Sequence, residues 1–465
     1  MKAIPHTRQL FEYVYGKEIK AKCLQILHSC QLSCLLTIMV LLMLAGCGGG
    51  EEEIRPGQPN IILIMADDLG YETLGVNGST AYSTPNLDAL ANEGMRFTSA
   101  YSTPLCTPTR VQIMTGKYNF RNYVGFGILD PGERTFGHFL QDAGYATMVA
   151  GKWQLYGNPY QRELAQQSGT LPQDAGFDEY YLWQIQTRPG SRFKDPGLNL
   201  MSDSVETLIG AYGPDVFADS LIGFARRHRD TPFFAYFPMT MTHDPFQPTP
   251  GHPEYEAFDP ATMQLNDAKY FGDNVTYMDK VVGRIADAMD ELGIRENTLI
   301  LFIGDNGTDR DVTSPYGDGE IRGNKGYPTK YGTHVPMIAN WPGTIEPAQV
   351  NDNLIEFTDF LPTLMDLAEA KLPADDVFDG LSFRDQLVAD ADTVRNWVFC
   401  HYAPIWGNFE DSRYVHDREW KLYDDGRVFN VADDPMELQA VSRTDLSEDA
   451  AQRIASFERV LERLQ

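Results

Sequence analysis

Apolar runs of strand length punctuate the chain, and between them apolar residues fall three or four positions apart. Residues 60–66 (NIILIMA), 232–238 (PFFAYFP) and 298–303 (TLILFI) contain no charged position. That pattern is the one for strands covered on both faces in a mainly parallel sheet. Residues 95–101, 145–150 and the end of 323–342 supply further strands. Helical spacing is clearest at 84–91, where Thr84 stands as a capping residue before Pro85, at 135–143, at 215–229, at 273–292 and at 356–370. Strands alternating with helices predict an α/β fold with a doubly wound, mainly parallel sheet. Residues from about 157 to 213 break the rhythm, being rich in Gly, Pro, Gln and aromatics, and read as an excursion over the sheet edge that shapes a cleft.

Beyond a loop-like stretch at 372–383, short strands at 396–401, 412–416, 419–423 and 427–431 precede a helix at 448–464. This predicts a small C-terminal α+β subdomain built on an antiparallel meander. At the other end, residues 33–45 (SCLLTIMVLLMLA) are too few to span a membrane comfortably and follow Lys20 and Lys22, as in a secretory signal. Leu44-Ala45-Gly46-Cys47 resembles the lipobox of bacterial lipoproteins, which implies cleavage before Cys47, lipidation there, and a periplasmic or outer-membrane location. A plain signal peptide is the alternative. The expected organisation is therefore a lipoprotein-type signal peptide (1–46), a tether (47–59), a catalytic domain (60–375) and the C-terminal subdomain (376–465).

Charge narrows the partners. The 465 residues carry a formal charge of −27, and the leader is itself basic, which excludes nucleic acid as the natural ligand. Any site for a small anion must be locally inverted by Arg, Lys or a metal ion. Of six cysteines, Cys23, Cys30, Cys34 and Cys47 fall in the N-terminal segment, leaving Cys106 and Cys400. Two thiols do not make a disulfide scaffold, so Cys106 calls for a chemical explanation.

In doubly wound sheets ligands gather at the carboxyl ends of strands. Asp67-Asp68, Lys152, His243 and Asp305-Asn306 all follow separate strands at that edge, so one site accounts for them together. Asp67, Asp68, Asp305 and Asn306 offer only oxygen, the preference of Ca²⁺ or Mg²⁺, and zinc is disfavoured. Lys152, His243 and Lys325 read as cations or proton donors around a bound anion. Arg110 reads as a partner of the carboxylates or of residue 106. Taken alone, Cys106 at the positive end of a helix reads either as a reactive thiolate or as part of an ordinary loop.

Residues 106–110 (CTPTR) resemble the C-x-P-x-R signature of type I, formylglycine-dependent sulfatases of the alkaline phosphatase superfamily. NIILIMADDLG, AGKW, THDPF, GDNG, GTHVPMIANWPG and WKLYDDGRVFNVADDPMEL extend the resemblance in order to the C-terminus. It implies an alkaline-phosphatase-like fold and sulfate-ester hydrolysis, with Cys106 a precursor that a formylglycine-generating enzyme oxidises. It further implies Ca²⁺, with Mg²⁺ as the alternative, on Asp67, Asp68, Asp305, Asn306 and an oxygen of modified Cys106. Arg110 would steady the aldehyde hydrate, Lys152 and Lys325 would hold sulfate oxygens, and His243 would serve the leaving group. One departure stands out. Where the family has a histidine two residues after the lysine of G-K-W, this chain has Gln154, which can hydrogen-bond the hydrate and help bind the substrate but is no base near neutral pH. The expected substrate is a sulfated carbohydrate, a reading that leans on export and on Tyr180, Tyr181 and Trp183 with Arg188 and Arg192 nearby. The alternatives are a phosphonate or phosphate ester hydrolase of the same superfamily and a catalytically impaired sulfoglycan-binding lipoprotein.

Overall fold

The computed structural model describes residues 58–186, 190–202, 204–389 and 395–464. The expected signal peptide, residues 47–57 of the tether with Cys47, and Arg188 lie outside the described residues. Residues 56–465 form one compact unit, so the C-terminal meander is packed into the same body as the main sheet.

The main sheet opens with β1 (Asn60–Ala66), β2 (Met95–Tyr101), β3 (Ala146–Lys152), β4 (Glu179–Trp183), β5 (Gly197–Leu200) and β6 (Val205–Thr207). It continues through β7 (Phe233–Pro238) and β8 (Thr298–Gly304). A separate hairpin, β9 (Thr313–Tyr316) with β10 (Gly319–Arg322), intervenes before β11 (His334–Asn340), β12 (Gln349–Asn351) and β13 (Ile355–Glu356) rejoin the sheet. Among the described residues the order is β12-β2-β11-β8-β1-β7-β3-β4-β5-β6, with β13 also on β2. The stretch β8-β1-β7-β3-β4 is parallel throughout. β11 runs antiparallel to both β8 and β2, so β2 points the same way as the parallel core. The doubly wound, mainly parallel sheet expected from the sequence is thus present.

Strand pleating explains the two-sided core. Ile61, Leu63 and Met65 of β1 face one apolar cluster with Val111, Phe136 and Leu361, while Ile62, Ile64 and Ala66 face the other with Phe217, Val275 and Ile285. Helices Cys106–Thr115, Phe136–Asp142 and Phe360–Leu367 cover the first face; Pro85–Asn92, Gly213–Arg227 and Phe271–Glu291 cover the second. Each fully buried Ile or Leu of β1 contributes about 2 kcal/mol, which is why this strand tolerates no polar interior position.

Three expectations change in detail. The 157–213 stretch is an extension of the sheet, since β4 joins β3 in parallel and β5 and β6 continue antiparallel. Tyr180 and Tyr181 consequently alternate into opposite core faces and do not form a substrate platform. Thr84 precedes its helix but does not cap it; its hydroxyl instead accepts from Gly75 N and meets the Asp88 carboxylate.

The C-terminal sheet has the order β14 (Val398–Tyr402), β15 (Ser412–His416), β16 (Trp420–Tyr423) and β17 (Val428–Asn430), antiparallel throughout and covered by helix Glu448–Arg463. Buried ionic bonds hold it to the body. Arg395 pairs with Glu356 at 2.8 Å and with Asp359, while Glu356 accepts from Phe399 N at 3.0 Å and from the Tyr118 hydroxyl at 2.5 Å. Removing one partner from such a set costs about 3–5 kcal/mol because the other charge is stranded.

Candidate active site

Register brings the acids together. β1 and β8 pair residue for residue from Asn60↔Thr298 to Ala66↔Gly304, so Asp67-Asp68 and Asp305-Asn306 leave adjacent strands at the same level. All four side chains are fully buried. Asp68 adopts a left-handed backbone (φ 61°), a conformation Asp tolerates, and its N–H donates to Asp305 Oδ1 at 3.0 Å. Asn306 Nδ2 donates to Asp68 Oδ1 at 2.8 Å and to the Gly307 carbonyl at 2.9 Å, whereas Asn306 Oδ1 is buried without a partner.

β3 delivers the next group. Lys152 is its last residue, and the preceding Gly151 (φ 122°) approaches β7 so closely that a Cβ there would lie 2.0 Å from the Pro238 carbonyl oxygen. Lys152 Nζ then reaches Asp67 Oδ2 at 2.8 Å and Cys106 Sγ at 3.7 Å. Cys106 opens its helix, and four residues on Arg110 donates to Asp305 Oδ2 at 3.1 Å and to the Lys152 carbonyl at 3.1 Å, with Asp67 Oδ1 at 3.6 Å. Of the two partners open to Arg110 from sequence, the structure thus gives the carboxylates. Lys325 comes from the loop before β11, tied to the Cys106 turn by Gly326 N donating to the Pro104 carbonyl at 2.8 Å. Gly326 (φ 88°) must be glycine, because a Cβ would strike the Phe409 ring. The Lys325 ammonium bonds Asp68 and stands 3.1 Å from His243 Nε2.

Electrostatics follow from this packing. Burial opposes ionisation of Asp67, but Lys152, His243, Arg110 and Lys325 together hold its carboxyl far below the ordinary range. Burial, joined by repulsion from Asp67 and Asp68, pushes Asp305 up despite Arg110. Lys325 and Arg110 are raised, their burial outweighed by the neighbouring carboxylates. Burial pushes the Cys106 thiol up as well, more than Lys152 draws it down. A raised thiol is the opposite of the depressed one that a thiolate nucleophile uses. With all three carboxylates ionised, Arg110, Lys152 and Lys325 balance them, and a bound divalent cation, which favours that ionised form, would make the cluster net positive inside a chain of charge −27. The all-oxygen donor set, the unpaired Asn306 Oδ1 and the upward shift of Asp305 all fit a hard cation such as Ca²⁺.

Cys106, Lys152, Gln154, His243 and Lys325 line one cleft of about 390 Å³. Gln154 has a left-handed backbone (φ 49°), and its Oε1 lies 4.0 Å from Cys106 Sγ. The cleft also gathers residues that periodicity did not mark: Phe126, Trp406 and Phe409 as walls, and Asp309 and Arg310 near Lys325. Trp406 stacks on Phe126 (centroids 4.6 Å apart, 16° between planes). Of the aromatic trio expected to meet substrate, Trp183 alone borders the cleft, and Arg192 covers its ring at 4.9 Å. The signal that could have found Trp406 and Phe409 is their place in a Gly- and Asn-bearing loop of the C-terminal meander.

A doubly wound sheet with buried oxygen donors beside a C-x-P-x-R helix start, and a small C-terminal sheet closing the cleft, defines a hydrolase of the alkaline-phosphatase-like class. Residues 59–370 match the family described as Sulfatase, and residues 325–464 match the N-sulphoglucosamine sulphohydrolase C-terminal region. The chain belongs to the sulfatase family of sulfuric ester hydrolases. It is 32% identical to arylsulfatase A of Bos taurus over 74% of this chain and 71% of that one. It is 30% identical to N-acetylgalactosamine-6-sulfatase of Sus scrofa over 84% of this chain and 78% of that one. Among solved structures, the PsFucS1 sulfatase from Pseudoalteromonas sp. superposes with a TM-score of 0.69 at 25% identity, covering 87% of this chain and 90% of that one.

Proposed function

We propose that the chain hydrolyses sulfate esters on a sulfated carbohydrate, using a formylglycine formed at Cys106 and a Ca²⁺ held by Asp67, Asp68, Asp305 and Asn306. The observation that carries this reading is the convergence of Cys106, Lys152, Gln154, His243 and Lys325 on one cleft beside the oxygen cluster. Its carbohydrate part is supported by the Trp406–Phe126 stack on the cleft wall and by likeness to a relative named for a sulfated amino sugar.

When present, the cation would draw negative charge from the sulfuryl oxygens, and the hydrated aldehyde would supply two hydroxyls on one carbon. The protein's own groups do the rest. Lys152, held by Asp67, and Lys325, held by Asp68, offer ammonium donors to the sulfate oxygens. Arg110 keeps Asp67 and Asp305 in place. His243 and Lys325, 3.1 Å apart on the cleft wall, can supply the proton that a departing alcohol needs. Gln154 can orient the residue-106 hydroxyls through its amide but cannot take a proton from them.

Maturation in this reading requires a formylglycine-generating enzyme, and the leader motif at Cys47 supports export as a lipid-anchored protein of the periplasm or the outer membrane. Among the described residues no helix is long and apolar enough to cross a membrane. Peptide mass spectrometry across residue 106 is the direct test: conversion of thiol to aldehyde lowers the mass by about 18 Da. An unmodified thiol in active protein overturns the mechanism. Rates on aryl sulfate, phosphate monoester and phosphonate substrates identify the ester class, and a phosphonate preference replaces the sulfatase assignment. Retention of the protein in the membrane fraction, lost in Cys47→Ser, tests the anchor.

A further inference from the structure

The imidazole of His243 is gripped from behind. Nδ1 lies 2.8 Å from Asp244 Oδ1 and 2.6 Å from the Asp244 carbonyl oxygen, two acceptors, with one donor, Arg192 Nη2, farther off at 3.2 Å. On the opposite edge Nε2 lies 3.1 Å from the Lys325 ammonium, which has only donors. A neutral imidazole has one N–H and one acceptor nitrogen, so the arrangement that satisfies both edges puts the proton on Nδ1 and leaves Nε2 to accept from Lys325. Arg192 fixes the frame around this pair. Its Nη2 donates to the His243 carbonyl at 2.9 Å and to the Asp244 carbonyl, while the guanidinium lies between the Trp183 and Phe193 rings at 4.9 and 5.0 Å. Asp68 and Asp309 also pair with Lys325, and Asp68 Oδ2 lies 3.8 Å from His243 Nε2, so the ammonium stands among the acidic groups around the ring.

We infer that Asp244 is a positioning residue for proton delivery: by holding Nδ1–H it turns Nε2 toward Lys325 and the cleft, so that the His243–Lys325 pair presents a shared proton to the leaving oxygen. This rests on the proposed sulfatase reading of the same site. As the bond between sulfur and the leaving oxygen breaks, its electron pair stays on that oxygen and takes one proton from the pair, which loses one positive charge. Asp244 keeps its own charge throughout. Without the carboxylate, Nδ1–H keeps only the neutral Asp244 carbonyl as acceptor, beside the Arg192 guanidinium at 3.2 Å, and the ring is held less firmly in that orientation.

The consequence depends on the leaving group, which a purely structural role would not. A 4-nitrophenolate departs with little help, whereas a 4-methoxyphenolate needs the proton. In Asp244→Ala, kcat/KM should fall about 100-fold for 4-methoxyphenyl sulfate and less than about fivefold for 4-nitrophenyl sulfate, with the deficit in kcat and not KM. Asp244→Asn, which keeps an acceptor oxygen for Nδ1–H, should recover most of the loss. If Asp244→Ala fails to fold, Asp244→Ser takes its place. Equal losses on both substrates, or none on either, overturn the inference. His243→Ala, run in parallel, separates the two levels: a leaving-group-dependent loss there with a uniform loss in Asp244→Ala rejects the role of Asp244 alone. A uniform loss in His243→Ala, or a wild type that cleaves no aryl sulfate, rejects the assignment of His243 and the inference with it.

Discussion

Lys152 and Asp67 form a fully buried ion pair, Nζ to Oδ2 2.8 Å, and the same ammonium lies 3.7 Å from the Cys106 sulfur. One side chain thereby links the oxygen cluster to residue 106. Replacing it by Met keeps the stem and removes the charge. We expect Lys152→Met to lower kcat/KM by at least about 100-fold, as for other charge-stabilising donors. Arg110, 3.6 Å from Asp67, compensates only in part, so a stability loss of about 3 kcal/mol should accompany it. Steady-state kinetics and thermal unfolding measure the two effects separately.

Asp305 touches Arg110 and the Asp68 backbone, and burial with its acidic neighbours pushes it up, so a bound cation would stabilise its charged form. Asp305→Ala should abolish both Ca²⁺ binding by isothermal titration and hydrolysis. Chelation of the wild type should lower its melting temperature, and returning Ca²⁺ to 100 times Kd should restore about 2.7 kcal/mol. Tight Ca²⁺ binding by Asp305→Ala would mean the cation sits elsewhere.

Gln154 stands 4.0 Å from Cys106 Sγ with a left-handed backbone that histidine also adopts readily. If release of sulfate waits for a base, the wild type should show a burst of one alcohol per active site followed by slow turnover. Gln154→His should abolish the burst and raise steady-state kcat by about 10- to 100-fold. Stopped-flow release of 4-nitrophenol reads both. A wild type without a burst places the slow step earlier and predicts no gain from the substitution.

Trp406 lies flat on Phe126, with Tyr160 edge-on at 6.0 Å. A sugar ring entering the cleft meets this wall, whereas a small aryl sulfate need not. Trp406→Ala should raise KM about 10-fold for a sulfated disaccharide, equivalent to about 1.4 kcal/mol of lost stacking, with less than a twofold change for 4-nitrophenyl sulfate. A uniform change would remove Trp406 from substrate recognition.

The parts of the site legible in sequence are those fixed by short-range pattern. Asp67-Asp68 and Asp305-Asn306 follow strands with no charged interior position, and a parallel pairing in register places them side by side. The walls were not legible, because Phe126, Trp406 and Phe409 come from loops whose meeting depends on how the C-terminal sheet docks through Arg395 and Glu356. Tyr180 and Tyr181 misled for a related reason: composition marked them as a platform, but strand alternation sends them to opposite core faces. The antiparallel insertion of β11 between β8 and β2 was equally silent, since a strand buried on both faces carries the same residues in either direction.

Away from the cleft, His334 is stacked between Tyr71 (4.1 Å) and Tyr101 (5.0 Å), and His416 meets the same Tyr101 edge-on at 4.5 Å. The column joins β11 of the main sheet to β15 of the C-terminal sheet. Burial, reinforced by Lys330 at one and Lys421 at the other, lowers each histidine to about 3. In the unfolded chain histidine titrates near about 6.5. Between these values the unfolded state binds more protons, so this contribution is fully present above pH 6.5 and is lost as pH falls toward 3. The His334→Phe variant keeps the stack but leaves the Thr98 carbonyl without the donor that His334 Nε2 now supplies at 2.9 Å. It should therefore be less stable than wild type by about 1 kcal/mol at pH 7.5. At pH 4 the order should reverse, because wild type has by then lost about 3 kcal/mol through this residue and the variant has not. Urea unfolding at the two pH values shows the crossover, and curves that stay parallel would mean that His334 is already protonated in the folded protein.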